Sequence, residues 1–135
     1  MEMNPYVNFN GQCEAAFRFY EQCLGATIKG IFRYAGTSMA SQVPPDWHDK
    51  VMHGSVMIGG QTLLGADLAP AQYEEPKGFS LSLQMTSTAD AERIFYMLAK
   101  DGTVVMPLEK TFWAARFGVV IDRFAIRWLV NCEES

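Results

Sequence analysis

Two stretches of the chain carry apolar residues at helical spacing, whereas most of the rest alternates between apolar and polar positions. In residues 12–25, one stripe comprises Ala16, Phe17, Tyr20 and Leu24. In residues 86–102, a second stripe comprises Ala91, Ile94, Phe95 and Leu98. This period predicts two amphipathic helices, the second opened by a Ser/Thr cap. Gly25 and Gly102 are the expected helix ends.

Period-two alternation predicts the strands, which fall at residues 4–11, 26–35, 51–59, 61–67, 79–85, 103–113, 115–122 and 125–131. The Gly59-Gly60 pair between two of them predicts a hairpin turn. Residues 36–50 contain Pro44-Pro45 and follow no clear period. We therefore expect a long loop there, of the kind that often covers a binding site.

The predicted elements follow the order βαβββ twice, which indicates an α+β fold made of two similar modules. Residues 17–27 (FRFYEQCLGAT) also resemble residues 93–103 (RIFYMLAKDGT). Such an internal repeat favours duplication of one unit. We expect one domain over residues 1–135, with a first module at about 1–68, a linker at 69–77 and a second module at about 78–135.

The alternation also predicts which side chains share a sheet face. On the strand at 51–59, His53, Ser55 and Met57 point to one side, while Met52, Val56 and Ile58 point to the other. An amphipathic helix needs an apolar face to cover, so the more polar faces should lie away from the helices. Those faces carry His53, Ser55, Ser80, Ser82 and Gln84.

Composition narrows the classes of partner. The net charge of −4 and the scattered basic residues argue against nucleic acid, because phosphate binding requires clustered Lys and Arg. No apolar run approaches the roughly 20 residues that cross a membrane, and the first residues lack signal-peptide features. Three cysteines without a CxxC spacing suggest reduced thiols. We therefore expect a cytoplasmic protein.

Three stretches resemble the signatures of PhnB-like proteins of the vicinal-oxygen-chelate (glyoxalase/bleomycin resistance/dioxygenase) superfamily. These are FNGQCEAAFRFYEQCLG, MHGSVMIGGQTLLGAD and VIDRFAIRWLVN. The segment D-R-F-x-x-x-W, from Asp122 to Trp128, is the most specific. Family members usually have Gly after this Phe, and the Ala125 found here would be strained at a turn that requires positive φ.

The resemblance implies cupped mixed sheets, with a metal ion in the cavity of the metal-dependent members. Their ligands are His, Gln or Glu on the first and last strands of each module. Here the first strand offers Pro5, Tyr6 and Val7, and Leu129 stands at the position of the Glu. The matching candidates are only Ser80, Gln61 and Asp67. A site from His53, Asp67 and His48 has no support from spacing, so we predict neither a metal nor another cofactor.

Each candidate site residue has a structural alternative. His53 is either a strand histidine bonded to a neighbour or a cavity-facing imidazole that binds ligand or moves a proton. Asp67 either orients His53 or caps a turn. Arg127 binds an anion or is simply solvated, and Trp47 covers a ligand or anchors the loop. The predicted ligand-binding set is His53, Ser55, Asp67, Ser80, Ser82, Gln84, Arg127 and Trp47, with His53 the candidate catalytic residue.

The favoured hypothesis is a PhnB-like protein that binds a small molecule in a cavity between cupped sheets, without a metal, as a homodimer. Three rivals stay open. One is a metal-dependent lyase, isomerase or dioxygenase, another is an antibiotic-binding resistance protein, and the third is an interaction module without a cavity. The name of the family also refers to a 3-demethylubiquinone methyltransferase. We do not predict that activity, because the chain has no strand–GxGxxG–helix unit for a methyl-donor nucleotide.

Overall fold

A computed structural model describes residues 1–133, and its two compact units, Met1–Glu75 and a second beginning at Pro76, each contain one α-helix and four strands. The first unit contains β1 (Tyr6–Phe9), α1 (Cys13–Leu24), β2 (Thr27–Arg33), β3 (Val51–Ile58) and β4 (Gln61–Asp67). The second contains β5 (Leu81–Met85), α2 (Thr88–Ala99), β6 (Thr103–Glu109), β7 (Ala114–Ile121) and β8 (Arg127–Glu133). The predicted α+β class and the repeated βαβββ order are confirmed. The last two positions of the predicted second module, 134 and 135, lie outside the described residues.

Each unit forms one four-stranded mixed sheet. Sheet 1 has the order β1-β4-β3-β2, and sheet 2 has the order β5-β8-β7-β6. The first strand of each unit runs parallel to the last, and the other neighbours are antiparallel. Two parallel strands cannot be joined by a short hairpin, so a longer connection must separate them. In each unit, the helix after the first strand begins this connection.

Helix α1 packs its apolar stripe against sheet 1. Its buried residues are Cys13, Ala16, Phe17, Tyr20 and Cys23. The helix is followed by Gly25 at φ 64°, a left-handed conformation that glycine adopts without strain. The predicted end of α1 is therefore confirmed, although Cys23 rather than Leu24 completes the buried stripe.

Helix α2 begins as predicted and ends earlier than predicted. The Ser87 hydroxyl accepts a hydrogen bond from the backbone N–H of Asp90 at 3.1 Å, which is the expected N-cap. The helix ends at Ala99, and the left-handed residue after it is Asp101 at φ 60°, not Gly102. Gly102 is needed for a different reason, because a Cβ there would collide with the backbone carbonyl of Ile121.

Glycines on the sheets set how closely the helices approach. A Cβ at Gly54 would lie 2.9 Å from the Phe17 ring, and one at Gly65 would lie 3.1 Å from it. These two glycines pair with each other on β3 and β4. Gly118 has the same relationship to Phe95 of α2, at 2.7 Å. Within residues 1–133, the opposite side of each sheet carries no helix of its own unit, and we call it the helix-free face.

Three details of the predicted strands are wrong. β5 begins at Leu81, so Ser80 precedes the strand, and β6 ends at Glu109 rather than at residue 113. On β3, Val51 is buried and Met52 is only half-buried. A register shift between β2 and β3 at this end of the pair accounts for the exchange, because a bulge moves the next side chain to the other face.

Candidate functional site

The register of sheet 1 brings three rings together on its helix-free face. Phe32 on β2 pairs directly with His53 on β3. Tyr6 on β1 pairs with Leu64 on β4, which in turn pairs with Ser55 on β3. Because Ser55 is two residues from His53, Tyr6 lies diagonally across β4 from the imidazole. We call Tyr6, Phe32 and His53 the His53 cluster.

The geometry within the His53 cluster is that of a hydrogen bond between two aromatic neighbours. The Tyr6 hydroxyl lies 3.1 Å from Nδ1 of His53, and their ring centroids are 5.7 Å apart. Phe32 stacks on the other side, with a centroid distance of 6.5 Å and an interplanar angle of 29°. The Phe32 side chain is 60% exposed and His53 is half-buried, so the cluster can be reached from solvent.

The electrostatic setting keeps the Tyr6 hydroxyl protonated. Partial burial, with a smaller effect from Cys13, raises the pKa of Tyr6. Burial also raises the pKa of the Cys13 thiol, and the charges of Asp67 and Glu14 add to that effect. Cys13 therefore remains a protonated thiol, in agreement with its predicted packing role, and Tyr6 keeps its phenol proton.

The helix-free face of sheet 2 carries a line of amide and hydroxyl groups. Nε2 of Gln84 donates to the Ser82 hydroxyl at 2.8 Å, and Nδ2 of Asn131 donates to Oε1 of Gln84 at 2.8 Å. Arg127 is exposed on the neighbouring strand β8, and Ser80 is half-buried. Ser82 and Gln84 are thus brought together as neighbours, while Arg127 makes no ion pair within residues 1–133.

Asp67 is only 1% exposed and lies on the α1 side of sheet 1. One oxygen accepts from the backbone N–H of Cys13 at 2.8 Å and the other from that of Val51 at 2.9 Å. Burial raises the pKa of Asp67, and the backbone N–H groups partly oppose this. These bonds are those of a capping group at the start of α1, and Nδ1 of His53 is occupied by Tyr6 instead.

Trp47 is the last residue of a short 3-10 helix (Pro45–Trp47). Its ring packs against Gly11, just before α1. A Cβ at Gly11, which has φ 85°, would lie 2.8 Å from the Trp47 ring. The ammonium of Lys50 lies 5.6 Å from the ring centroid. The indole Nε1 is buried and has no hydrogen-bond partner within residues 1–133. Trp47 thus anchors the end of the loop on the α1 side, away from the helix-free face.

A groove of about 370 Å³ also lies on the α1 side and includes the edge of Asp67. Its charges are largely paired with one another. Glu14 accepts from Arg33 at 2.9 Å and from Arg18 at 3.5 Å. These bonds, that to Arg33 above all, lower the pKa of Glu14. The charged side chains of the groove are therefore less available to bind a ligand than the side chains of the His53 cluster.

A sequence comparison matches residues 3–130 to the Glyoxalase/Bleomycin resistance protein/Dioxygenase superfamily. The chain belongs to this superfamily. It is 30% identical to protein YjdN of Escherichia coli strain K12, over 97% of this chain and 95% of that protein. Membership of the superfamily supports small-molecule binding as a general property of the family.

Two solved structures share the fold of this chain. The crystal structure of PA1353 from Pseudomonas aeruginosa is 44% identical, with a TM-score of 0.89 over 100% of this chain and 99% of that one. A Bacillus cereus protein described as a putative 3-demethylubiquinone-9 3-methyltransferase, PhnB protein, is 22% identical, with a TM-score of 0.84 over 98% and 99%. The predicted resemblance to PhnB-like proteins is confirmed for the fold.

The side chains do not fit the divalent ion of the metal-dependent superfamily members. Within residues 1–133, no group of three or more His, Cys, Asp or Glu side chains is placed to hold a metal ion. A catalytic ion usually needs three protein ligands. Separately, none of the helices described is long and apolar enough to span a bilayer.

Tyr6, Phe32 and Asn131 were absent from the predicted site. The signal for Tyr6 was its alternation with the buried Val7 and Phe9, which places it on the same sheet side as His53. Asn131 similarly alternates with two buried neighbours on β8. The predicted residues His53 and Ser55 share a face, as do Ser82 and Gln84, whereas Asp67 and Trp47 lie on the α1 side.

Proposed function

We propose that this protein binds a small, partly apolar molecule on the helix-free face of sheet 1, with His53 as the central polar contact. The observation that carries the proposal is a hydrogen-bonded imidazole between the rings of Tyr6 and Phe32, on a surface open to solvent. Small-molecule sites usually combine aromatic walls with a few placed polar groups. Ser55, half-buried on the same face, supplies a further hydroxyl.

Separately from the His53 cluster, we propose that the polar line on sheet 2 contacts ligand on its own unit. Ser82 and Gln84 are held in defined orientations by their hydrogen bonds, which lowers the entropy lost when a ligand binds. Arg127 supplies a cation on the neighbouring strand β8, and Ser80, just before β5, supplies a second hydroxyl. These four side chains form this second proposed contact surface. Asp67 and Trp47 are left out, because the carboxylate is engaged by backbone N–H groups and the indole is packed on Gly11.

The test uses a set of single-ring aromatic fragments that carry a carbonyl, carboxylate or hydroxyl group, with bleomycin as a separate probe. We expect some fragments to shift the NMR signals of Tyr6, Phe32 and His53, and His53→Ala to abolish these shifts. His48→Ala is the matched control, since His48 contacts the backbone of its own loop. Equal binding by wild type and His53→Ala would refute the proposal, and tight binding of bleomycin alone would favour the resistance protein.

The metal-dependent enzyme remains the main rival and has its own readout. Protein purified without chelator is analysed for Zn, Ni, Mn and Fe. We expect none of these metals to be present at close to one equivalent per protein chain. A stoichiometric metal that is lost in His53→Ala would replace the present proposal with a metal-dependent lyase, isomerase or dioxygenase.

We also propose that the protein forms a homodimer. Apolar side chains are unusually exposed along the edge strand β6, at Val104, Val105 and Met106. Exposed apolar patches of this kind often mark protein interfaces. Sedimentation of the wild type and of Met106→Asp tests the proposal, with the dimer expected for the wild type and weakened in the variant. A monomer at all concentrations would contradict it.

A further inference from the structure

The two nitrogens of His53 lie in different surroundings. Nδ1 faces the Tyr6 hydroxyl at 3.1 Å. Nε2 has no hydrogen-bond partner among residues 1–133, and it is not one of the buried unpaired atoms of that segment. The ring therefore makes one internal hydrogen bond and presents its other nitrogen to solvent. The proton on a neutral imidazole resides on one nitrogen or the other, and this choice decides what Nε2 can bind.

The direction of the Tyr6–His53 hydrogen bond follows from the chemistry of its two atoms. A phenol O–H is a good donor, and an unprotonated imidazole nitrogen is a good acceptor. The reverse arrangement would use the phenol oxygen as acceptor, although its lone pair is partly delocalised into the ring. Burial keeps the phenol protonated, so its O–H is present to donate. The favoured arrangement leaves Nδ1 without a proton.

We infer that Tyr6 holds His53 in the tautomer with the proton on Nε2, so that the site accepts ligands whose polar atom is a hydrogen-bond acceptor. This inference rests on the proposed function and specifies its ligand class. The centroid of the exposed Phe32 ring lies 6.5 Å from that of the imidazole, which adds an apolar surface beside the His53 ring. A flat, partly apolar molecule bearing a carbonyl or carboxylate oxygen meets both requirements. Tyr6 is then a positioning residue.

The first experiment measures the tautomer in the full-length protein without ligand. The chain has two histidines, so ring ¹⁵N–¹H correlation spectra at about pH 8.5, above the usual imidazole titration range, give two assignable patterns. His48→Gln identifies the His53 pattern. We expect a protonated Nε2 and an unprotonated Nδ1 in the wild type, and a smaller Nε2–H fraction in Tyr6→Phe. A wild-type Nδ1–H tautomer, or no change in Tyr6→Phe, would overturn the inference.

The second experiment compares two probes of nearly equal shape, acetophenone and α-methylstyrene, which differ in a carbonyl oxygen against a methylene group. We expect acetophenone to bind about tenfold more tightly, the effect of one net hydrogen bond. Tyr6→Phe should narrow this ratio. Equal binding of the two probes at the His53 cluster would reject the inference that the site prefers ligands with a hydrogen-bond acceptor. The proposed function would stay in place. Failure of both probes to shift any cluster signal counts against the proposed function, while the tautomer result remains a separate test.

Discussion

The indole Nε1–H of Trp128 donates a hydrogen bond to the buried carboxylate of Asp122 at 2.8 Å. The other oxygen of Asp122 accepts from the backbone N–H groups of Phe124 and Ile126, at 2.8 and 3.1 Å. One carboxylate thus organises the turn between β7 and β8 and joins it to the core. The D-R-F-x-x-x-W pattern is therefore a structural motif of the second unit.

Trp128→Phe is expected to lower the free energy of unfolding by about 3 kcal/mol. The substitution removes a charge-assisted donor from Asp122 and leaves a void where the indole was packed. Urea unfolding measures the difference. Trp113→Phe serves as the control, since the Trp113 side chain is 51% exposed and should change stability by less than about 1 kcal/mol. Equal effects of the two substitutions would contradict the assigned role of Trp128.

Ala125→Gly is expected to stabilise the protein by about 1 kcal/mol. Ala125 adopts φ 72°, as the departure from the family pattern suggested, and a side chain in the left-handed region is strained. Glycine removes this strain. Ala115→Gly, in the strand β7 and outside the positive-φ region, is the control and should be destabilising. Thermal unfolding distinguishes the two, and a loss of stability in Ala125→Gly would refute the strain argument.

Gly54→Ala is expected to destabilise the protein by about 1–3 kcal/mol, because the new methyl group would lie 2.9 Å from the Phe17 ring and separate α1 from sheet 1. Gly30→Ala offers a matched comparison. Its nearest neighbour, a carbon of the flexible Phe32 ring, lies at 3.6 Å, an ordinary contact distance. Chemical denaturation of both variants tests the point, and a neutral Gly54→Ala would show that the helix can move away at little cost.

Asp67 should give the stability of the protein a specific pH dependence. Burial raises its pKa in the folded chain, so the folded state binds a proton more readily than the unfolded state. Its contribution to stability is complete below the unfolded-state pKa and is lost as pH rises through the folded-state pKa. The wild type should therefore gain stability relative to Asp67→Asn when pH falls from neutrality to about 4.5. Paired urea titrations measure this difference, and a gain with rising pH would contradict it.

Local pattern was sufficient for the elements but not for every side-chain role. The helical stripe of α1 and the Ser87 cap of α2 are local features, and both were predicted. The repeat between residues 17–27 and 93–103 aligns Tyr20 with Tyr96, yet Tyr20 is fully buried and Tyr96 is 65% exposed. Similar short sequences thus occupy different helix faces, because burial depends on what each helix packs against.

The candidate site illustrates the same limit over longer range. Alternation alone placed His53 and Ser55 on the face away from α1. The contact between Tyr6 and His53 depends on β1 pairing with β4 and β4 with β3, over 47 residues of sequence. Strand register is set by the complete sheet and not by either strand, so Tyr6 was not identified as a partner.

The carboxylate of Asp67 joins parts of the chain that lie far apart in sequence. It accepts hydrogen bonds from the backbone N–H groups of Cys13 and Val51. The backbone carbonyl of Asp67 accepts a further bond from the Tyr34 hydroxyl at 2.7 Å. Helix start, loop exit and strand end consequently share one acid group, so none of them can fray without weakening the others. The amide protons of Cys13 and Val51 should then exchange with deuterium at closely matched rates, as a single cooperative unit.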